Sequence, residues 1–547
     1  LGYLEKMTPE DAFNYFKKSL EHQLLVGLHQ ATFGPDLEDI LLREYTNIVP
    51  RIAQTLYLDI CTLHRFGVPV RAGLISRVTG VSFEDFRTRL LKPLEHVVRA
   101  AHYAKAADYV YRTRHQDIAE IVFRKVLSDP PAKSEQLARI VSCLNVSYTT
   151  DRTAMLAIIG SRALVDSFPD RTMGYRILDA ARLSGLDQES VEQHRALFEI
   201  HHPTGDIRAA FSAIERAIAA AEHKPNRTTL HVKALVLRKL AGLPGISQVE
   251  KEKRRHEAAV ILNRLMADKR DPHPFHVKAE LLLDELVEKL EDAGVFGDEA
   301  ASRQVTDLVR DVESTLQQAL QLFPADTYLA TAASRLAGLL ENHPKALVIL
   351  DLAFKRNQQN TFIAIRLARQ HSKRKDFGAS IAVLRKALAL NSNNRDVHYA
   401  LAHALQSEGE QKNQEEIGQH LRKSFTDGDS RYDARFFFAR HQYIFGDRSL
   451  ARKEFSLLAR LPLPPGELNH VRALVRDING EPVTYSGRVT SKQDAYCFAR
   501  CEDFGDDIFI HASKFDRATW AVTKPGSTLT FKVGFCFRGI RGVDATA

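Results

Sequence analysis

The 547-residue sequence predicts a mainly α-helical repeat protein that ends in a small β-barrel. Apolar residues recur with helical periodicity from about residue 117 to residue 460. Within this stretch one apolar position recurs at steps of 34, 34, 37 and 34 residues. After about residue 485 the pattern changes to short alternating segments bounded by turn residues, which is typical of strands. A chain of this length exceeds one hydrophobic core, so we expect several domains.

Residues 44–116 have the element order of a winged-helix domain. A short apolar helix ends at a turn around Gly80. Ser82, with Asp85 three residues later, then predicts the capped start of a second helix. The alternating residues 97–115 predict a two-stranded hairpin, the wing. The second helix mixes acidic and basic residues, so it does not have the basic surface of a DNA-reading helix.

Three columns of residues follow the 34-residue period. The first holds large apolar residues, and the other two hold mainly small ones, as is needed where paired helices approach closely. The columns are Leu316, Leu350, Leu384, Leu421 and Phe455; Ala319, Ala353, Ala387, Ser424 and Leu458; and Ser334, Ala368, Ala402 and Ala439. They resemble the tetratricopeptide repeat, although the aromatic signature of its first helix is mostly absent. The resemblance implies an α-superhelix that recognises a protein trigger along its concave face.

The helical pattern stops at Pro462, Pro464 and Pro465, because proline cannot continue a helix. Five short strand-like segments follow a linker, and strands this short need closure into a barrel to hide their edges. In two of them, alternation places Tyr496 with Phe498, and Phe509 with His511, on one face. Paired side by side, these strands would present four flat rings to solvent. Bases stack on such a platform with about 1–3 kcal/mol each and little sequence preference.

The order of these segments resembles the cold-shock domain, an OB-type barrel that binds single-stranded RNA or DNA. "AYCFAR" and "DIFIH" stand where that family has its two RNP motifs. The resemblance implies that Tyr496, Phe498, Phe509 and His511 stack on bases and that Lys514 contacts a phosphate. Residues 487–547 contain nine Lys and Arg and seven Asp and Glu, so their net charge is small and we expect only weak attraction to phosphate. The alternative is a docking barrel whose rings are covered by another protein.

"YRTRHQDIAEIVF" resembles the end of the winged helix in signal-transducing NTPases of the STAND class, where a histidine begins the next helix. The resemblance implies that His115 contacts a nucleotide phosphate and holds a resting state, whereas the alternative is a histidine that only caps its helix. It also implies a lid-like segment, into which "LEHQLLVGLHQATFG" fits. The sequence contains no GxxxxGK[ST] motif, so either the ATP or GTP belongs to a domain upstream of Leu1 or the protein never had such a domain. A first residue other than methionine favours a processed or partial chain.

No catalytic motif is present in its expected context, and we expect no cofactor within this chain. Glu199, His201 and His202 lie together at a predicted helix end, which is more typical of a solvated terminus than of a metal site. The sequence has no apolar run long enough to cross a bilayer and no secretory leader. Five scattered cysteines and these absences predict a cytoplasmic protein.

The predicted organisation leaves two hypotheses. The first is the sensor region of a bacterial STAND NTPase in antiviral defence or stress signalling, which oligomerises when activated and touches single-stranded nucleic acid at the barrel. The second is an RNA-binding tetratricopeptide scaffold without NTPase activity. The predicted domains are a lid-like segment (1–43), a winged helix (44–116), degenerate helical repeats (117–300), tetratricopeptide-like repeats (301–462), a linker (463–484) and a cold-shock-like barrel (485–547).

Overall fold

A computed structural model gives the fold of this protein. It describes residues 35–546, apart from 83–84, 87–89, 104–107, 223, 297–298, 462 and 478–479. Most of the lid-like segment predicted for residues 1–43 lies outside the described residues. The contacts divide the chain into two compact bodies, the first mainly residues up to 370 and the second mainly residues from 371 onward.

The described helices account for most of the chain. They are α1 Pro35–Thr46, α2 Arg51–His64, α3 Ala72–Thr79, α4 Leu91–Leu94, α5 Gln116–Val126, α6 Pro130–Cys143, α7 Thr149–Ile159, α8 Ser161–Ser167, α9 Arg171–Leu183, α10 Gln188–His201, α11 Ile207–Ala220, α12 Arg227–Ala241, α13 Gln248–Met266, α14 His273–Phe296, α15 Glu299–Leu322, α16 Thr327–Leu339, α17 His343–Arg356, α18 Thr361–Lys373, α19 Phe377–Leu390, α20 Arg395–Gly409, α21 Gln414–Lys423, α22 Tyr432–Phe445, α23 Arg448–Leu458, α24 Pro465–Asn469 and α25 Arg517–Val522.

The described strands form two sheets. They are β1 Val70–Arg71, β2 Val98–Tyr103, β3 Asp108–Thr113, β4 Ala473–Leu474, β5 Thr484–Lys492, β6 Tyr496–Cys501, β7 Asp506–His511, β8 Thr528–Cys536 and β9 Gly539–Thr546. The predicted fold class is confirmed, because the protein is mainly helical, with a tetratricopeptide-like array and a small C-terminal five-stranded β-barrel.

The first sheet lies among the N-terminal helices and has the antiparallel order β1-β3-β2. Gly80 ends α3 with a positive φ of 69°, which glycine adopts without strain, and the backbone N–H of Asp85 donates to the Ser82 hydroxyl as predicted. The tip of the predicted wing hairpin, residues 104–107, lies outside the described residues. The assignment of residues 44–116 to a winged helix stays a prediction.

A buried ion pair joins this N-terminal segment to the helices beyond it. The Arg71 guanidinium donates to the Asp151 carboxylate at 2.9 Å, and Arg77 reaches the same carboxylate at 2.7 Å. Asp151 is almost fully buried, so removing either arginine would leave a less compensated charge in the interior. The surrounding apolar core is continuous from Leu41 in α1 to Phe198 in α10.

Many consecutive helices pack against each other as helical hairpins. These pairs are α10 with α11, α12 with α13, α14 with α15, α16 with α17, α20 with α21, and α22 with α23. Asparagine or aspartate often caps the first helix of a pair. The Asp326 carboxylate accepts the N–H of Leu329 at 2.8 Å, and the Asn394 amide oxygen accepts that of Val397 at 3.0 Å. These caps fix where α16 and α20 begin.

The residues of the predicted repeat columns are almost all buried. All five large residues of the first column are buried, with exposures between 0% for Leu421 and 6% for Phe455. The small residues of the third column are also buried, and in the second column only Ala353 is half-buried. Small side chains therefore stand where helices approach closely, and the periodicity reports real packing.

The second sheet closes into the barrel. β5, β6 and β7 form an antiparallel meander, β8 pairs with β5, and β9 pairs with β8 and, in parallel, with β7. The segment predicted as a linker contributes to this body, because α24 precedes β4 and β4 pairs with β8. A proline-rich stretch thus ends the helices without detaching the barrel.

The barrel packs on the last helical hairpin within the second body. Phe455 of α23 stacks on Phe535 of β8, with ring centroids 6.0 Å apart and planes within 10°. Tyr443 of α22 donates its hydroxyl to the Asp506 carboxylate, and Arg452 pairs with the same carboxylate at 2.7 Å. One apolar cluster includes residues from both the hairpin and the barrel.

Replacing Leu350 by alanine should lower the free energy of unfolding by about 2–5 kcal/mol, because it leaves a cavity inside a repeat. Leu352 lies on the same helix with 48% of its surface exposed, so Leu352→Ala is the matched control and should have little effect. Urea unfolding followed by circular dichroism measures both. Equal effects of the two substitutions would contradict the repeat packing.

Candidate nucleic-acid interface

Four predicted side chains come together on the outer face of the barrel. In the register of β6 and β7, Tyr496 lies opposite His511 and Phe498 lies opposite Phe509. The three large rings are half-buried and His511 is exposed. Cys497 and Ala499 on β6, like the isoleucines of β7, point the other way into the barrel core. The alternation therefore arises because one face of each strand fills the barrel and leaves the other outside.

The rings form a contiguous platform. The centroids of Tyr496 and Phe509 are 5.1 Å apart with planes 27° from parallel. Phe498 meets both rings edge-on, at 5.7 Å from Tyr496 and 5.8 Å from Phe509. These separations are those of favourable aromatic pairs, so the rings hold one another in place. A planar ligand would meet a surface that is already ordered.

His511 ends β7, and Lys514 follows it by three residues in a short turn. The His511 Nδ1 atom accepts the N–H of Ser513 at 3.1 Å and so caps the 3₁₀ turn Ala512–Lys514. The capping contact orients the imidazole at the end of β7. Lys514 follows in that turn with an exposed side chain. The strand register thus places His511 opposite Tyr496, while the proximity of Lys514 to the rings and the ligand contacts of both residues stay predictions.

An arginine that sequence reasoning missed completes the row across the sheet. Arg541 of β9 lies opposite Phe509 in the parallel pairing, and its guanidinium carbon is 4.7 Å from the Phe509 ring centroid. Such a cation over a ring face is attracted to the π electrons. The signal was the alternating segment "RGVDATA", but its neighbour could not be known before the parallel pairing of β9 with β7.

On the same face of the sheet as the rings, a positive and a negative side chain form a pair. Arg500 of β6 lies opposite Asp507 of β7, with their charged atoms 3.7 Å apart. Arg488 of β5 lies opposite Arg500 and is exposed. Arg541 of β9 therefore borders the Phe509 ring, and Arg488 and Arg500 lie one pair further along the sheet, on the other side of Phe498 from Tyr496.

His115 lies far along the chain from the barrel and belongs to the first body. It is buried, and its Nδ1 atom accepts the N–H of Asp117 at 3.1 Å, which caps α5. This contact is the capping role that the sequence left open. The nucleotide-phosphate role of His115 stays a prediction.

The acidic and histidine residues near residue 200 have protein partners. Glu199 pairs with Arg171 at 2.7 Å and accepts the N–H of Asp206 at 2.7 Å. His202 bonds to the carbonyl of Phe168 at 3.0 Å, and burial lowers its pKa because the charged imidazole would lose hydration. Within the described residues, no cluster of His, Cys, Asp and Glu has the arrangement of a metal site.

No span suited to a bilayer occurs among the helices of the described ranges. All five cysteines are described and free, and four of them are buried. Burial raises the pKa of Cys497, on the core side of the platform strand, because a thiolate would lose hydration there. The platform strands therefore present aromatic rather than thiol chemistry to solvent.

No family model and no curated protein matches the chain. Among solved structures, it is similar to the thermophilic TPR protein TTC0263 of Thermus thermophilus, with 18% identity over 40% of this chain and 99% of that one, at a TM-score of 0.31. It is also similar to human IFIT1 in a dimer with m7Gppp-AAAA, with 12% identity over 62% and 75% of the two chains, at 0.31. A third similar structure is the APC/C hetero-tetramer Cut9–Hcn1, with 10% identity over 71% of this chain and 74% of that one, at a TM-score of 0.24.

The His115 cap can be tested with two substitutions. His115→Ala removes the acceptor and should destabilise the first turn of α5 by about 0.5–2 kcal/mol, whereas His115→Asn keeps an acceptor and should lose much less. Hydrogen exchange at the Asp117 amide measures the difference, since that N–H is the donor. Equal protection in the two variants would show that the side chain does not cap the helix.

Proposed function

We propose that this protein is a helical-repeat scaffold whose C-terminal barrel binds single-stranded nucleic acid. The observation that carries the proposal is the platform of Tyr496, Phe498, Phe509 and His511 on the outer face of β6 and β7. The binding mode is base stacking, with Lys514 and the flanking arginines near the phosphates. The cold-shock-like assignment of the barrel is part of the proposal.

The position of the rings supports stacking rather than a role in folding. The barrel core is filled by the opposite faces of the same strands, where Ile508, Ile510 and Cys497 are fully buried. Leaving three large rings half-exposed forgoes hydrophobic stabilisation that burial would give. A single strand exposes its bases, so it can cover these rings, whereas a duplex keeps its bases stacked internally.

The docking alternative assigns the rings to a protein contact. The barrel already docks on the final hairpin, through Phe535 and the loop residue Phe504, and the platform lies outside that contact. Packing within the chain is thus satisfied by another part of the barrel surface. This arrangement favours an external ligand for the platform.

The helical array supplies the scaffold function. Arrays of stacked helical hairpins commonly bind polypeptides, so we assign a protein partner to the repeats. In this proposal one chain binds a protein partner through its repeats and nucleic acid through its barrel.

Replacing Tyr496, Phe498 or Phe509 by alanine should weaken binding of a single-stranded oligonucleotide by about 1–3 kcal/mol each, because each removes a stacking surface. Fluorescence anisotropy with labelled RNA and DNA oligonucleotides measures the affinity. Tyr328→Ala is the control, since this tyrosine of α16 is 41% exposed and lies in the first body.

The control should bind as the unsubstituted protein does. An equal loss in Tyr328→Ala would place the ligand on the repeats instead of the barrel. If the platform variants retain full affinity for nucleic acid, the stacking proposal is wrong and the docking alternative takes its place.

A second candidate function is the sensor region of a STAND NTPase. It is favoured by the element order of residues 35–126, in which a three-stranded sheet lies among helices and His115 immediately precedes α5. In this hypothesis a protein trigger on the repeats releases the resting state, and the protein oligomerises in a defence or stress response.

This second candidate predicts bound nucleotide. The natural gene product, with the upstream domain that this hypothesis requires, should contain ATP or GTP when isolated from its source cells, and chromatography of the denatured sample would detect it. Protein isolated without any nucleotide, yet still able to bind single strands, would favour the scaffold alone.

A further inference from the structure

Two arginines at the start of β9 extend the platform toward the helices. Arg541 lies over the Phe509 ring, and Arg538 lies in the turn between β8 and β9 with an exposed side chain. Within the described part of the chain, neither has a carboxylate partner at ion-pair distance. Burial, reinforced by repulsion from Arg538, lowers the pKa of Arg541. These positions have a local excess of positive charge.

The nearby carboxylates do not cancel that excess. Asp506 is paired with Arg452 and accepts the Tyr443 hydroxyl, and Asp507 is paired with Arg500. Both acids are therefore matched by cations other than those of β9. An anion arriving at the β8–β9 turn would therefore meet the Arg538 guanidinium, which neither of these two acids neutralises.

A groove lies beside these arginines within the second body. It has a volume of about 380 Å³ between the β8–β9 turn and α23, and Arg538, Ile540, Arg452 and Ser456 are among its lining residues. Asp506 and Asp507 also line it, so its charged side chains are two arginines and two aspartates, and Asp507 lies two residues before Phe509 of the platform. One end of the groove thus adjoins the platform, while its outer wall belongs to the last helical hairpin.

We propose that a single strand stacked on the platform continues past Arg541 into this groove, where Arg538 contacts a backbone phosphate and α23 forms the outer wall. The inference rests on the proposed function and adds to it a composite site. Barrel and repeat array then bind one ligand together. The strand crosses the sheet from β6 over β7 to β9, because Phe498, Phe509 and Arg541 are consecutive partners in the strand register.

The first test uses the whole chain and two labelled oligonucleotides, one of about four nucleotides and one of about twelve, within the range of site sizes for such barrels. Arg538→Ala should lower the affinity for the longer oligonucleotide severalfold and leave the affinity for the shorter one unchanged. The slope of log affinity against log salt for the longer one should fall in magnitude by about 0.7, the value for one phosphate of a single strand. Lys532→Ala is the charge-matched control, since Lys532 of β8 is paired with Asp544 at 2.9 Å.

The second test places a negative charge on the helical wall. Ser456→Glu introduces a carboxylate into the groove and should weaken binding of the longer oligonucleotide. Leu457→Glu is the control, because it adds the same charge at the next residue, which does not line the groove. Both positions are exposed, so neither change disturbs the core. The Leu457→Glu protein should therefore bind like the unsubstituted chain.

The outcomes separate this inference from the proposed function. If the platform variants lose affinity but Arg538→Ala and Ser456→Glu bind both oligonucleotides normally, the groove is not part of the site and only this inference fails. Equal losses for the short and the long oligonucleotide in Arg538→Ala would also overturn it. If the unsubstituted protein binds neither oligonucleotide, the proposed function fails and the composite site with it.

Discussion

The stacking of Phe455 on Phe535 is the contact on which the position of the candidate interface depends. It lies in an apolar cluster that includes Phe436 of the hairpin and Phe531 of the barrel. Because protein interiors are close-packed, side chains in such a shared core cannot slide past one another freely. The barrel therefore has one end fixed on helices and one side left to solvent. The four rings lie on that solvent-facing side, on a barrel that packs against the hairpin rather than being joined to it only by a flexible linker.

Much of this arrangement could be predicted from residue periods. The column of Leu316, Leu350 and Leu384 could be detected because equivalent positions of a repeat pack in the same way and so need similar residues. All three are buried. The face shared by Tyr496 and Phe498 was readable because side chains alternate along a strand. Both patterns are local or regular, so one sequence suffices to detect them.

The remaining features depend on contacts between distant segments. Arg541 joins the platform only because β9 pairs in parallel with β7, and period-two alternation contains no information about which strand is the neighbour. The proline-rich segment before β4 was interpreted as a linker, since proline marks the end of a helix but does not reveal that Ala473–Leu474 pairs with β8. His115 illustrates a further limit. A histidine ahead of a helix fits both a cap and a phosphate ligand, and only the 3.1 Å contact with the Asp117 amide assigns the cap.

Burial of the last hairpin beneath the barrel also affects how copies of this protein meet. A solenoid end normally exposes the apolar helix face that the next repeat would cover, and such an end can stack on a second molecule unless a polar cap covers it. Here Phe436 and Phe455 at the terminal hairpin are already covered by barrel side chains. The barrel thus occupies the place of a further repeat at this end of the array, and these two apolar side chains of the last hairpin are not exposed for a second copy to stack on.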